Sequence, residues 1–140
     1  MKKIMYHLGM ISIAIAFFLL TYYMYLSFYP IEVVRLNEPI ITKEQQVSPG
    51  DLLTVPLNFT KLRDIPASDI QWSLVDGIFY AIPSGKVYRE GGDHEILRQI
   101  EIPKVVAPGT YHAEISIKYQ ITPLRTITYV WKSNQFEVVE

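Results

Sequence analysis

Leu8 to Tyr29 is an apolar run with no charge, no proline and one glycine. As a helix, about 22 residues reach roughly 33 Å, enough to cross the hydrocarbon core of a bilayer. A soluble protein of this size could not wrap such a segment, so lipid is the solvent it calls for. After Pro30 the chain becomes mixed, turn-rich and alternating in polarity. The sequence therefore divides into an anchor and one further domain.

A cleaved signal peptide is the rival reading of the run, since it ends in small residues at the cut. Ala14-Ile15-Ala16 has the right small pair, but Phe17-Phe18-Leu19-Leu20 still follows it, and no small-x-small site comes directly after Tyr29. The pattern favours a retained anchor. Its tail is aromatic, with Tyr22, Tyr23, Tyr25, Phe28 and Tyr29. Such rings settle at the headgroup level. Lys2 and Lys3 precede the run, whereas Arg35 and Lys43 follow at a distance. The positive-inside bias then predicts a cytoplasmic tail over 1–7, a transmembrane signal anchor over 8–29, and a domain over 30–140 on the periplasmic or extracellular side.

Removing the anchor and its tail leaves 111 residues, the size of one ordinary domain. That domain holds 11 Lys and Arg against all 14 acids, a net −3. Phosphates demand a basic patch, so nucleic acid is not an expected partner. The chain has no cysteine, which excludes disulfides, thiolate metal sites and cysteine nucleophiles.

Taken in order, Ile31 to Leu36 is apolar-rich and Pro39 to Thr42 reads as extended. Ser48-Pro49-Gly50-Asp51 is a turn signal, because proline presets φ and glycine permits positive φ. Leu53, Val55, Leu57 and Phe59 then alternate with polar residues and Pro56, the period of a half-buried strand. Pro56 lacks a ladder donor, so the strand is predicted to be an edge or bulged there. A polar loop over 61–69 precedes Ile70, Trp72 and Leu74. Asp76-Gly77 is either a hairpin turn or a bulge in one long strand. A loop over 83–93 leads to a strand marked by Ile96, Ile100 and Ile102. Pro108-Gly109-Thr110 turns into Tyr111, Ala113, Ile115, Ile117 and Tyr119, the cleanest alternation in the chain. After a turn at 121–124, Ile127, Tyr129 and Trp131 lead out, a polar break falls at Ser133-Asn134, and Phe136 and Val138 close.

About seven or eight short strands with regular turns predict an all-β antiparallel sandwich after one N-terminal transmembrane helix. Pro-Gly-Thr-Tyr111 resembles a tyrosine corner, and Trp72 holds the place of the buried strand-C tryptophan. A cysteine would follow the corner tyrosine by two in antibody domains; here Ala113 stands there. The pattern resembles the disulfide-free immunoglobulin-like group, which makes Trp72 and Tyr111 structural. The anchor, the Pro-Gly-Thr-Tyr strand and the closing Tyr119 to Ile127 hairpin also resemble small uncharacterised single-pass proteins encoded in phage genomes. That resemblance implies a viral source and brings no activity.

Asp93-His94-Glu95 is the most site-like cluster, since carboxylates flanking a histidine can hold a metal or move a proton. Neighbours on a strand face opposite ways, however, and a solvated loop explains the run. His112 is the other histidine beyond the anchor. In an immunoglobulin-like order it falls at the opposite end of the domain, roughly 25 Å away. Asp64 and Asp69 read as turn and cap residues. Ser84-Gly85-Lys86 lacks the spacing of a phosphate loop. Asn58-Phe59-Thr60 is a formal glycosylation acceptor that reads as strand. No catalytic, cofactor or metal site is therefore assigned.

Tyr88 and Arg89 in the long loop, and Leu124 and Arg125 in the last turn, are the candidate protein-binding residues. If the chain leaves the membrane at Pro30 and its strands alternate away and back, the 61–69 and 120–125 loops lie near the lipid. The expected function is a non-catalytic binding or assembly module held at a membrane surface, with the bilayer and an unidentified protein as partners. One alternative is an accessory subunit of a membrane complex, packed through Gly9, Ser12 and Ala16. Another is a virion or fibre component.

Overall fold

The computed structural model describes residues 2–77, 79–82 and 90–140. Among them are a helix, α1 (Lys2–Phe28), and the strands β1 (Val34–Leu36), β2 (Gln46–Val47), β3 (Leu52–Lys61), β4 (Asp69–Val75), β5 (Phe79–Ile82), β6 (Gly92–Glu101), β7 (Gly109–Thr122) and β8 (Arg125–Val138). The chain forms two compact units: the segment through Ile31 with the turn at 122–125, and residues 32–121 with 126–140.

α1 begins at Lys2, six residues ahead of the apolar run, so the lysines are its first turn. Nothing inside it breaks a helix, and Pro30 ends it by disfavouring helical geometry at the residue before. Its 27 residues rise roughly 40 Å. None of them is buried, and an 18-residue window has a mean hydropathy of 2.0. The Ser12, Thr21 and Ser27 hydroxyls each donate to the carbonyl four residues back at 2.9 Å. Their polar atoms are thus satisfied within the helix, as an apolar solvent requires. By length and composition α1 fits a membrane anchor or a signal sequence.

The same unit holds a contact that reaches across the sequence. α1 has no basic residue in its last turn. Arg125 supplies one, its Nη1 donating to the carbonyls of Leu26 (2.8 Å) and Tyr29 (2.5 Å). The last carbonyls of a helix have no partner inside it and carry partial negative charge, so a guanidinium is well matched to them.

The second unit is strand-rich. A three-stranded antiparallel sheet has the order β1-β3-β6, and a five-stranded mixed sheet has the order β2-β8-β7-β4-β5, with β2 parallel to β8. β3 and β7 form as their alternation predicts. Leu53, Val55, Leu57 and Phe59 are buried on one face of β3, and Tyr111, Ala113, Ile115, Ile117 and Tyr119 on one face of β7. Each buried aliphatic contributes about 1.5–3 kcal/mol. Side chains of the two sheets meet in the core, where the Phe59 and Trp131 rings lie 6.1 Å apart.

The turn at 48–51 closes as expected. Asp51 N–H donates to the Ser48 carbonyl, Ser48 N–H donates to the Asp51 carboxylate, both at 3.0 Å, and Gly50 takes φ +91°. Asp76-Gly77 belongs to a hairpin, since β4 and β5 pair antiparallel from Val75↔Phe79 to Trp72↔Ile82. Gly77, at φ +67°, allows that reversal.

Three expectations need correction. The first strand is only Val34–Leu36; residues 37–43 continue beside β3 through Asn37 N–H to Asn58 O (2.9 Å) and Lys43 N–H to Thr54 O (3.0 Å). Asp93-His94-Glu95 lies inside β6, not in a loop. β8 runs unbroken through Ser133-Asn134. There the inward-facing parity changes from odd to even residues, and the Ser133 hydroxyl accepts from Ala113 N–H at 2.9 Å. A side-chain oxygen thus stands in for a ladder carbonyl, and the polar pair shifts the strand's phase without ending it.

Candidate binding cleft

Among the described residues β6 is an edge, and its register fixes which of its backbone groups face away from β3. In an antiparallel pair, hydrogen-bonded and non-hydrogen-bonded positions alternate. Ile102 N–H donates to the Asp51 carbonyl at 2.9 Å, which makes that pair hydrogen-bonded. Two residues at a time along the β3–β6 register, the even residues of β6 from Gly92 to Ile100 then face β3. Asp93, Glu95, Leu97, Gln99 and Glu101 direct their N–H and C=O groups to the other side. Among the described residues no strand pairs there. Pro56 obeys the same phase. It stands opposite Leu97, so its missing donor costs nothing on the β6 side. On its other side lies the 37–43 segment, beyond the three residues that β1 covers.

Beside this edge the two sheets leave a cleft. A cavity of about 160 Å³ is walled by Leu57, Phe59, Ile70, Trp72, Ile96 and Trp131, among others. A second, of about 360 Å³, follows β6 from Arg98 to Glu101 and reaches Ala81 and Ile82 of β5. Trp72 and Arg98 line both. Trp72 is buried. Lys61 also lines the first cavity, its Nζ 5.8 Å from the centre of the Tyr119 ring. Burial pushes the Lys61 ammonium below its usual range, and the nearby Asp64 carboxylate partly opposes that. The outer face of β6 has the opposite character. Asp93, Glu95 and Glu101 are exposed there, around a Leu97 that is 60% exposed.

The residues singled out from the sequence fall in different places. Trp72 is in the cleft. Tyr111 is buried, and its hydroxyl donates to the Ala107 carbonyl at 2.8 Å, the geometry of a tyrosine corner. Leu124 is 79% exposed at the turn, next to Arg125 with its guanidinium on the helix carbonyls. Tyr88 and Arg89, with Ser84-Gly85-Lys86, lie outside the described residues. His94 lies on the three-stranded sheet, its ring 5.3 Å from Phe59 and its Nε2 donating to the Glu90 carbonyl at 2.7 Å. His112 lies on the five-stranded sheet, 3.7 Å from the Glu114 carboxylate. Asp69 pairs across the ladder with Lys118, at 4.0 Å. Asn58 and Thr60 are in β3 and share the Asn37 amide. Among the described residues no three His, Asp or Glu side chains gather as metal ligands.

Sequence reasoning missed the edge of β6 that no described strand covers, because pairing is not a local property. One signal was available: carboxylates at alternate positions are how edge strands discourage unwanted pairing.

No family model matches the chain, and no curated protein matches it. Among solved structures, an alkylpurine DNA glycosylase of Pseudomonas fluorescens bound to abasic-site DNA aligns over 76% of this chain and 30% of its own, at 11% identity and TM-score 0.44. A mutant beta-glucosidase of Listeria innocua with laminaribiose aligns over 76% of this chain and 16% of its own, at 14% identity and TM-score 0.38. The chain therefore spans under a third of either protein, and likenesses this distant carry no functional argument.

Proposed function

We propose that this chain is a membrane-tethered, non-catalytic binding or assembly module, with an immunoglobulin-like sandwich as its second unit. The observation that carries the reading is α1, an apolar helix of 27 residues with no side chain buried. A helix apolar on every face is costly in water and at home in lipid. The fold half is supported by strand order. β1-β3-β6 against β2-β8-β7-β4-β5 follows the A-B-E and A′-G-F-C-C′ order of such domains, with Trp72 on C and the Tyr111 corner opening F. The binding half is supported by the cleft and by the β6 edge beside it, which no described strand covers. The lysines ahead of the apolar run favour a domain on the outer face.

Photo-crosslinking from intact membranes, with the reactive group at Leu97 or Leu124 in turn, tests the function. A single protein captured at one of these positions supports a binding module. Capture of lipid alone at both contradicts it. Protease added to spheroplasts tests the side: digestion of residues 30–140 is expected, and their protection contradicts the outer placement.

A further inference from the structure

We infer that the edge of β6 that no described strand covers accepts an added β-strand from a partner, and that this strand is basic on its outer face and apolar on its inner face. The inference rests on the binding-module reading and names the partner's chemistry. Three features of the second unit support it, and each constrains the occupant differently.

The backbone specifies an extended chain. Asp93, Glu95, Leu97, Gln99 and Glu101 present a row of outward N–H and C=O groups, with the periodicity of a strand and no other element. The cleft specifies the inner face. A strand laid along β6 would direct every second side chain between the sheets, against Ile96, Trp72 and Ile82. Apolar side chains suit the wall those three residues form, where an unpaired polar group would be costly to bury. The charges specify the outer face. Asp93, Glu95 and Glu101 would stand across the new ladder from the partner's outward residues, where opposite charges stabilise a pair and like charges oppose it.

The same rule disfavours a second copy of this chain. Two β6 strands paired antiparallel about Leu97 would set Asp93 against Glu101 at both ends. A lysine- or arginine-bearing strand meets no such repulsion. The acids then do two things: they deter self-association and select a basic guest.

The test uses the full chain in neutral detergent micelles, with a short peptide of alternating lysine and valine as the probe and its glutamate–valine counterpart as control. The lysine peptide is expected to bind and to slow amide exchange at Asp93, Glu95, Leu97, Gln99 and Glu101. Gln99→Pro, which removes one outward donor and no donor to β3, should weaken binding about tenfold. The double change Glu95→Lys with Glu101→Lys should reverse the preference to the glutamate peptide. Three results would overturn the inference: equal binding of both peptides, binding of neither, or slow exchange of those five amides in the free chain. Any of them would leave the membrane tether standing, since that falls only if the chain leaves the bilayer.

Discussion

Leu97 stands directly across the β3–β6 ladder from Pro56, in a pair that exchanges no backbone hydrogen bond. The proline therefore sits where β3 can spare a donor, and the residue facing it has its own amide turned to the open side. Prolines placed along β6 should read out this phase. Gln99→Pro is expected to fold at a cost of about 1 kcal/mol, because its amide faces outward. Arg98→Pro should cost about 3 kcal/mol or more, because it removes a donor to β3. Urea unfolding of both variants checks the assignment; equal losses would contradict it.

Tyr111→Phe removes only the hydroxyl that reaches Ala107. The carbonyl loses a partner at a part-buried site, and the ring stays in the core. A loss of about 1 kcal/mol is expected in denaturant unfolding with an unchanged slope.

Glu44 links a surface segment to β3. Its carboxylate accepts from the Thr54 backbone N–H at 2.6 Å and from the Thr54 hydroxyl at 3.0 Å. The backbone bond is the largest cause holding its pKa below the ordinary carboxylate value. A depressed folded pKa gives stability that is present above the unfolded value and is lost as pH falls through the folded one. Glu44→Gln should therefore cost about 1 kcal/mol at neutral pH. The gap to the parent should close as pH drops below 4, as followed by thermal unfolding across pH.

Arg125→Gln tests the cation on the helix end. Without it the carbonyls of Leu26 and Tyr29 lose their charged donor, a change of about 1 kcal/mol. Faster amide exchange is expected at Tyr29, whose N–H bonds to the Tyr25 carbonyl, with no change at Val55 in β3.

Much of this architecture is legible in the residues. The apolar run, the alternation of β3 and β7, the turn at Ser48 to Asp51 and the corner tyrosine all announce themselves, because each depends on neighbours in sequence. What escaped depends on neighbours in space. Asp76-Gly77 suits a hairpin or a bulge, and the pairing of β4 with β5 decides it. Ser133-Asn134 reads as a break, since nothing local says that a hydroxyl will serve Ala113 as a ladder acceptor. Arg125 reads as a recognition residue, and its engagement with α1 spans 96 residues or more. The candidate cleft was hidden for the same reason, because which strands pair is settled in space. Tyr88 and Arg89, legible as recognition types, lie outside the described residues.

A membrane-tethered module requires that α1 stay in the chain and lie in lipid. Expressing the whole protein, washing the membranes with alkaline carbonate and weighing the retained product by intact mass spectrometry tests it most directly. An uncleaved chain is expected in the carbonate-resistant pellet. A soluble product that begins after Ala16 would contradict it.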